Sequence, residues 1–399
     1  MPAQARTADV IVIGGGIVGL AVALSARERG MEVTLLERER VGAGASSVAA
    51  GMLAPVAEAE FGEAAAVVLQ LGLRAAAMWP EFALRIEEAA GEDVGYRRAG
   101  TLMVARDEDE ARELERQIAF REALGLETVR LRPSEARERE PALAPIVRLA
   151  MEAPNDHSVE PRAALRALRA ACERAGVIIE EQTPAGALVT DAPGARVLGV
   201  KLAGERDGET VAAGDVVIAT GAWSAGAVSL PAHASVRVRP VRGQVLRLRD
   251  RAGPGMIGRV VRAQRSYLVP RADGRYVLGA TVEERGFDLA PAAGGVYELL
   301  RDAHEVVPSS SELEIEELCV GLRPGTPDNL PLIGAGALEG LWWATGHYRN
   351  GILLAPLTGE LIGTLLAGEP AAEPEILAAC APARFADARG ATGEKVGAR

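Results

Sequence analysis

One stretch, VIVIGGGIVGL from Val10 to Leu20, restricts the possible folds of this chain more than any other. The apolar run Val10 to Ile13 predicts a buried strand, and the glycines that follow end it at once. Leu20 to Arg29 then predicts a helix that closes at Gly30, and Val33 to Leu36 a second strand ending in the acid Glu37. Strand, turn, helix and strand in that order make a β-α-β unit. Inside it Gly14, Gly16 and Gly19, with Gly15 between the first two, fit the spacing G-x-G-x-x-G. The first glycine allows the tight turn, the second lets a pyrophosphate approach the backbone, and the third lets helix lie against strand. Free N–H groups and the dipole at the helix start favour the anion. Glu37 stands 23 residues after Gly14, placed to accept from both ribose hydroxyls of an adenosine, and its charge disfavours a 2′-phosphate. The unit predicts an adenine dinucleotide site. These residues leave FAD and NAD both open.

The rest of the chain supplies two kinds of segment. Gly42 to Pro55, GAGASSVAAGMLAP, is mostly Gly, Ala and Ser, which lets backbone amides approach a flat or phosphate-bearing ligand. Residues 161–175 predict a helix with Pro161 at its first position, followed by Gly176 and a strand Val177 to Glu181. Asp215 to Ala219 is another buried strand, running into TGAWS, and these pieces extend the nucleotide-binding sheet. The segments YRRAGTLMVA, VRVRPVRGQVLRLR, RSYLVPRADGRYVLGATVEE and LEIEELCVGLRP are instead strand-rich and alternating. ADGR, Ala272 to Arg275, places an Asp-Gly hairpin turn between two strands. A second, largely antiparallel sheet follows from this, and the fold class is α/β.

Composition narrows the function. The chain has 399 residues, enough for two domains, with 48% hydrophobic and 25% charged residues, the profile of a soluble globular protein. A net charge of −11 without a basic block argues against nucleic acid as a partner. Cys172, Cys319 and Cys380 are odd in number and widely spaced, so no disulfide framework or metal site is expected, and a reducing compartment fits. The N-terminal apolar run is too short for a signal peptide, and GILLAPLTGELIGTLLAG, with Pro356 and Glu360, is too short to span a bilayer. The expectation is a cytoplasmic protein that engages no membrane. The four histidines form no Ser-His-Asp or Cys-His arrangement; His157, His233 and His304 read as surface or structural, and His347 as a positioning or core residue.

Arg323, in GLRPGTPD (Gly321 to Asp328), poses a sharper question. It follows an apolar strand-like run in a segment that reads as folded inward, and a guanidinium is seldom buried without an anionic partner. A structural salt bridge would answer it, and so would an anionic ligand.

IGGGIVGL, ASSVAAGMLAP, ATGAWS, GQVL, YLVPRADGRYVLGAT, GLRPGTPDNLPLIG and GHYRNGILLAPLTG together resemble the glycine oxidase branch of the D-amino-acid oxidase family of FAD-dependent oxidoreductases. The resemblance spans nearly the whole chain. It implies non-covalent FAD in a Rossmann-like domain of the glutathione-reductase type, made of residues 6–90, 146–232 and 322–385. It implies a second, α+β substrate domain of 91–145 and 233–321, and leaves 386–399 as a loose tail. The implied reaction is oxidation of glycine or another small amino acid or amine, with hydride leaving Cα for the flavin and O2 becoming H2O2. Arg323 resembles the arginine that forks onto the substrate carboxylate, Tyr267 a tyrosine that donates to it, and Arg349 a second arginine near substrate and flavin. No residue is implied as an acid, base or nucleophile.

The cofactor positions implied begin with Gly14, Gly15, Gly16, Gly19, Glu37 and Arg38. Ala45, Ser46, Ala50, Gly51 and Met52 follow, the last two beside the isoalloxazine, and the main chain of Ala185 meets the adenine. Gly221 and Trp223 come from ATGAWS, and His347, Tyr348, Arg349, Asn350, Gly351 and Ile352 from the start of a helix whose N-terminus faces the flavin's pyrimidine edge. Arg262 and Val282 stand where relatives carry an aromatic and a methionine, which alters the roof of the pocket. The implied partners are substrate, O2, further copies of the same chain and, functionally, thiazole synthase of thiamine biosynthesis. Rival readings are a sarcosine or D-amino-acid oxidase, with Cys319 near the place where such relatives attach flavin, a tRNA-modifying flavoprotein, and a non-catalytic flavin-binding partner.

Overall fold

The computed structural model describes residues 6–371 and 373–385. The N-terminal unit organises the first sheet: Arg6–Ile13 runs parallel to Val33–Leu36 on one side and to Thr210–Ile218 on the other. The parallel array extends outward to Ile178–Glu180 and to Leu341–Thr345, and Leu332–Ala335 closes that edge antiparallel. A parallel strand is covered on both faces, so VIVI shows no polar alternation. Val10 and Val12 face a core shared with helices Ile17–Glu28, Glu63–Ala90, Pro161–Ala175 and Gly351–Leu366. Ile11 and Ile13 face an antiparallel ribbon, Ala185–Thr190 and Val197–Leu202, that pairs onto Thr210–Ile218.

Two helices of this layer touch backbone to backbone. A Cβ on Gly359 would lie 2.7 Å from Ala21 O, and Gly363 packs as closely on Ser25, so GELIG lets Gly351–Leu366 press against Ile17–Glu28. The contact fixes where the N-terminus of the later helix points. That helix is almost wholly buried along its first three turns, despite Pro356.

The second sheet has eight strands in the order Glu314–Gly325, Arg239–Arg249, Arg275–Gly279, Tyr267–Pro270, Val260–Arg262, Thr101–Ala105, Leu149–Ala153, Val129–Leu131. All neighbours are antiparallel except Val260–Arg262 with Thr101–Ala105. The ADGR turn joins Tyr267–Pro270 to Arg275–Gly279 in the hairpin its Asp-Gly pair implies. Helix Ala293–Val306 covers one face through Leu299, Ala303 and Val306.

Sheet membership moves two expected boundaries. Leu149–Ala153, expected with the nucleotide-binding segment 146–232, pairs with Thr101–Ala105 and Val129–Leu131 in the second sheet. All five residues are buried, so no alternation marks which sheet owns them. The expected division between 321 and 322 falls inside Glu314–Gly325, which pairs with Arg239–Arg249 along its full length. The first helix starts at Ile17, three residues before the expected Leu20. The expected tail 386–399 lies outside the described residues. Among the described residues no helix is long and apolar enough to cross a membrane, and no group of three or more His, Cys, Asp or Glu could hold a metal ion.

Candidate active site

A cavity of about 970 Å³ lies between the two sheets and takes its walls from both. That is the upper end of the roughly 300–1,000 Å³ usual for ligand pockets. Gly14, Gly16, Ile17 and Val18 line one end. Gly14 has φ +111°, and a Cβ there would lie 2.6 Å from Ala219 O, so only glycine allows the turn. Gly16 is the N-cap of helix Ile17–Glu28 and offers no side-chain cap, while Ser46 Oγ accepts from Ile17 N at 3.2 Å. The remaining N–H groups of the first turn are left for a ligand. Glu37 accepts from Gly15 N at 2.7 Å and from Glu39 N at 2.9 Å, so its carboxylate braces the glycine turn from the next strand. Pro184 and Ala185 line the same end.

The small-residue loop forms the long wall and is gripped from behind by three arginines. Arg162 Nε and Arg247 Nη2 donate to Ser47 O at 3.0 and 2.7 Å, and Arg271 Nη2 to Ala50 O at 2.6 Å. Gly51, at φ +76°, packs against Val159 and Pro161, and Met52–Leu53 pairs with His157–Ser158. Across the cavity Arg38 lies 4.1 Å from the Trp223 ring centroid, and Phe287 stacks on Trp223 at 5.8 Å.

The other end carries the charge. Arg323 projects from Glu314–Gly325 across Gly243 of the neighbouring strand, where a Cβ would lie 2.6 Å from its Cζ. Its Nη1 donates to Thr281 O at 3.0 Å and Arg242 O at 3.3 Å, and it forms no ion pair with a described residue. Tyr267 lies across Gly279, where a Cβ would be 2.7 Å from the tyrosine Cζ. Burial pushes the Tyr267 hydroxyl above its ordinary pKa against the opposing charge of Arg323, so at neutral pH it remains a donor. Two glycines therefore make room for two side chains that meet at one small site.

The connection Gly346–Asn350 closes this end. Tyr348 has φ +48°, unusual for a residue with a side chain, and its N–H reaches Pro324 O at 3.0 Å. Arg349 faces the cavity but is held by Glu60 at 2.6 Å. His347 is buried, its Nε2 2.9 Å from Thr358 Oγ1, and burial pushes its pKa down to about 4, so it is neutral at pH 7. The start of helix Gly351–Leu366, Gly351 and Ile352, points its positive end at the cavity.

Of the residues singled out in the sequence, Arg323, Tyr267 and Arg349 line the cavity, as do Gly14, Gly16, Glu37, Arg38, Ala45, Ser46, Ala50, Gly51, Met52, Ala185, Gly221, Trp223, His347, Tyr348, Gly351 and Ile352. Gly15, Gly19 and Asn350 do not. Gly15 sits under Glu37, Gly19 packs on Gly14, and Asn350 is the N-cap of the late helix. Arg262 also lines it, with Nη1 on Ala57 O. Val282 is a largely exposed part of the wall. None of the three cysteines lines it; Cys319 is buried, its Sγ 3.8 Å from Arg162 Nη2. The sequence reading missed Gly243, Gly279 and Glu58. GQVL and VLGAT contain the first two, but only the cross-strand register reveals what they make room for.

The family model described as FAD dependent oxidoreductase matches residues 9–365. The glycine oxidase of Geobacillus kaustophilus (strain HTA426) is 36% identical over 360 residues, 90% of this chain and 92% of that protein. A bifunctional protein ThiO/ThiG of Trichormus variabilis (strain ATCC 29413 / PCC 7937) is 34% identical over 363 residues, 90% of this chain and 53% of its own length, so the chain spans about half of that relative. The crystal structure of glycine oxidase from Geobacillus kaustophilus matches with a TM-score of 0.87 at 34% identity, covering 95% of this chain and 99% of that one.

Proposed function

The chain belongs to the family of FAD dependent oxidoreductases that its residues 9–365 match, and from that premise we propose that it oxidises glycine and other small amino acids or amines at Cα. The substrate's C–H and N–H bonds break, a C=N bond forms, and O2 takes up two electrons and two protons as H2O2. The residues present fit FAD: the turn at Gly14 leaves no space for a Cβ, the helix start at Gly16 is uncapped, and Glu37 keeps lone pairs for a ribose. When bound there, FAD supplies the acceptor for the hydride that leaves Cα.

The single observation that carries the substrate class is Arg323, a cavity-facing guanidinium with two carbonyl contacts and no carboxylate partner among the described residues. Thr281 O and Arg242 O orient Nη1, which leaves Nη2 and Nε as a fork for a carboxylate. Tyr267 adds a hydroxyl donor, and the positive end of helix Gly351–Leu366 favours negative charge across the cavity. His347, kept neutral by burial and held by Thr358, is a weak base and a positioning residue in this reading. We extend the reading to a functional link with thiazole synthase, supported by the bifunctional build of the ThiO/ThiG relative.

The test is a panel of amines on the purified yellow protein. Without air, glycine, sarcosine and small D-amino acids are ranked by bleaching of the flavin; with air, by peroxide. Acid precipitation should leave the colour in the supernatant. A flavin that no small amino acid bleaches would overturn the reading.

A further inference from the structure

The turn that follows Met52–Leu53 is held with unusual force. The carboxylate of Asp156 accepts from Val56 N at 3.0 Å and Ala57 N at 2.6 Å. On the carbonyl side, Arg121 donates to Val56 O at 2.8 Å, Ala57 O at 3.0 Å and Ala59 O at 3.1 Å, and Arg262 also reaches Ala57 O. Asp156 and Arg121 are 0% and 1% exposed. Two buried charges without a direct ion pair between them are a costly way to hold four residues in a turn, unless the residue they position matters.

That residue is Glu58, half-buried and part of the cavity wall. Of the other acids on that wall, Glu37 is bonded to two backbone amides, Glu39 pairs with Arg38, Glu283 with Arg242, and Asp302 with Arg106 and Arg301. Glu298 is exposed. Glu58 makes no side-chain hydrogen bond or ion pair with a described residue; Arg349, whose charge it feels, has its direct contact with Glu60. Its charge acts on Tyr267, the same hydroxyl on which Arg323 acts. A cation and an acid, neither in an ion pair with a described residue, thus act on one tyrosine.

We infer that Glu58 binds the amino group of the substrate, opposite the carboxylate on Arg323. The inference rests on the reading of this cavity as an amino-acid site and adds the residue that recognises nitrogen. A carboxylate oxygen accepts from an ammonium and, more weakly, from a neutral amine, so the contact persists through the loss of the amine proton that hydride transfer requires. Arg262, Arg323 and Arg349 alone would favour any small carboxylate. Glu58 turns that preference against acids lacking an amine, which meet a charge they cannot satisfy.

The experiment compares wild type with Glu58→Gln, both FAD-loaded, using glycine turnover and the binding of acetate read from flavin absorbance. Losing a charged acceptor lowers kcat/KM for glycine by roughly 10- to 100-fold, mostly through KM, while acetate binds as tightly as before or more tightly. If Glu58→Gln loses FAD, Glu58→Asp is measured with the same two ligands, and a loss confined to glycine has the same meaning. Unchanged glycine kinetics, or glycine and acetate weakened in parallel, overturns the inference and leaves the amino-acid reading standing. A wild type whose flavin no small amino acid bleaches overturns both.

Discussion

Gly243→Ala moves the substrate handle without touching its charge. The added Cβ would lie 2.6 Å from Arg323 Cζ, whereas carbon atoms pack at about 3.5 Å or more. The guanidinium must therefore retreat by about 1 Å, and Thr281 O and Arg242 O lose their hold on Nη1. A misplacement of that size in a positioning group costs about 100-fold in rate, or ~2.7 kcal/mol. The strand itself should not suffer: Gly243 has no positive φ, and alanine in a strand is favoured over glycine by roughly 0.5–1 kcal/mol. The assay is kcat/KM for glycine on protein matched for FAD content, with an amine lacking a carboxylate as control. Glycine should fall about 100-fold and the control far less. In an Arg323→Ala background the same substitution should cost almost nothing more, because the group it displaces is gone. Wild-type activity in Gly243→Ala would refute the reasoning, and so would a full second loss in the double variant, which would mean the methyl group blocks the substrate directly.

Arg323→Ala should lower kcat/KM for amino acids by roughly 30- to 1,000-fold, about 2–4 kcal/mol, with the flavin spectrum intact; Arg323→Lys should recover part of it, as measured by steady-state peroxide release. Glu37→Ala removes the brace on Gly15 and Glu39 together with the ribose acceptor, so FAD affinity should fall about 10- to 150-fold in an apoprotein titration while the order of substrates stays the same. Burial pushes the folded His347 pKa down to about 4 from an ordinary 6.5, so the unfolded chain binds the extra proton between those values. Stability from keeping it neutral is present above pH 6.5 and is lost as pH falls toward 4, on the order of 3 kcal/mol, and His347→Gln should lack that acid-side loss in denaturant titrations at pH 5 and 7. Buried Asp156, pushed up to about 7, acts in the opposite sense over the same range, so the comparison is between variant and wild type at each pH.

Local chemistry was legible wherever it decides the outcome locally. Pro161 and Gly176 mark the ends of helix Pro161–Ala175 because one cannot continue a helix backward and the other accepts the left-handed cap at φ +92°. The turn at Gly14 and the ADGR hairpin are legible for the same reason. Leu149–Ala153, in the segment 146–232 expected to belong to the nucleotide-binding domain, has five consecutive buried residues and no face pattern, and only its partners at Thr101–Ala105 and Val129–Leu131 place it in a sheet. Glu58 was invisible for a different reason. Nothing in LAPVAEAE distinguishes it from Glu60 two residues on; Asp156 and Arg121, far away in sequence, set the turn that sends one acid into the cavity and leaves the other exposed beside Arg349.

The arginines at the substrate end differ in what holds them, and that difference singles out Arg323. Arg262 bonds Ala57 O, Arg349 pairs with Glu60, and Arg285 pairs with Glu283. Arg349 and Arg285 are neutralised by carboxylates of the protein, and Arg262 is turned toward the carbonyl of the turn it holds. Arg323 is oriented by carbonyls and Glu58 through its turn, and neither forms an ion pair with a described residue. A small zwitterion supplies both missing charges at once. A simple amine answers only Glu58 and a simple acid only Arg323, and either leaves one desolvated charge unpaired, which offsets part of the contact it makes. Selectivity for an amino acid over both half-ligands should therefore be lost stepwise, one half with each of the two substitutions.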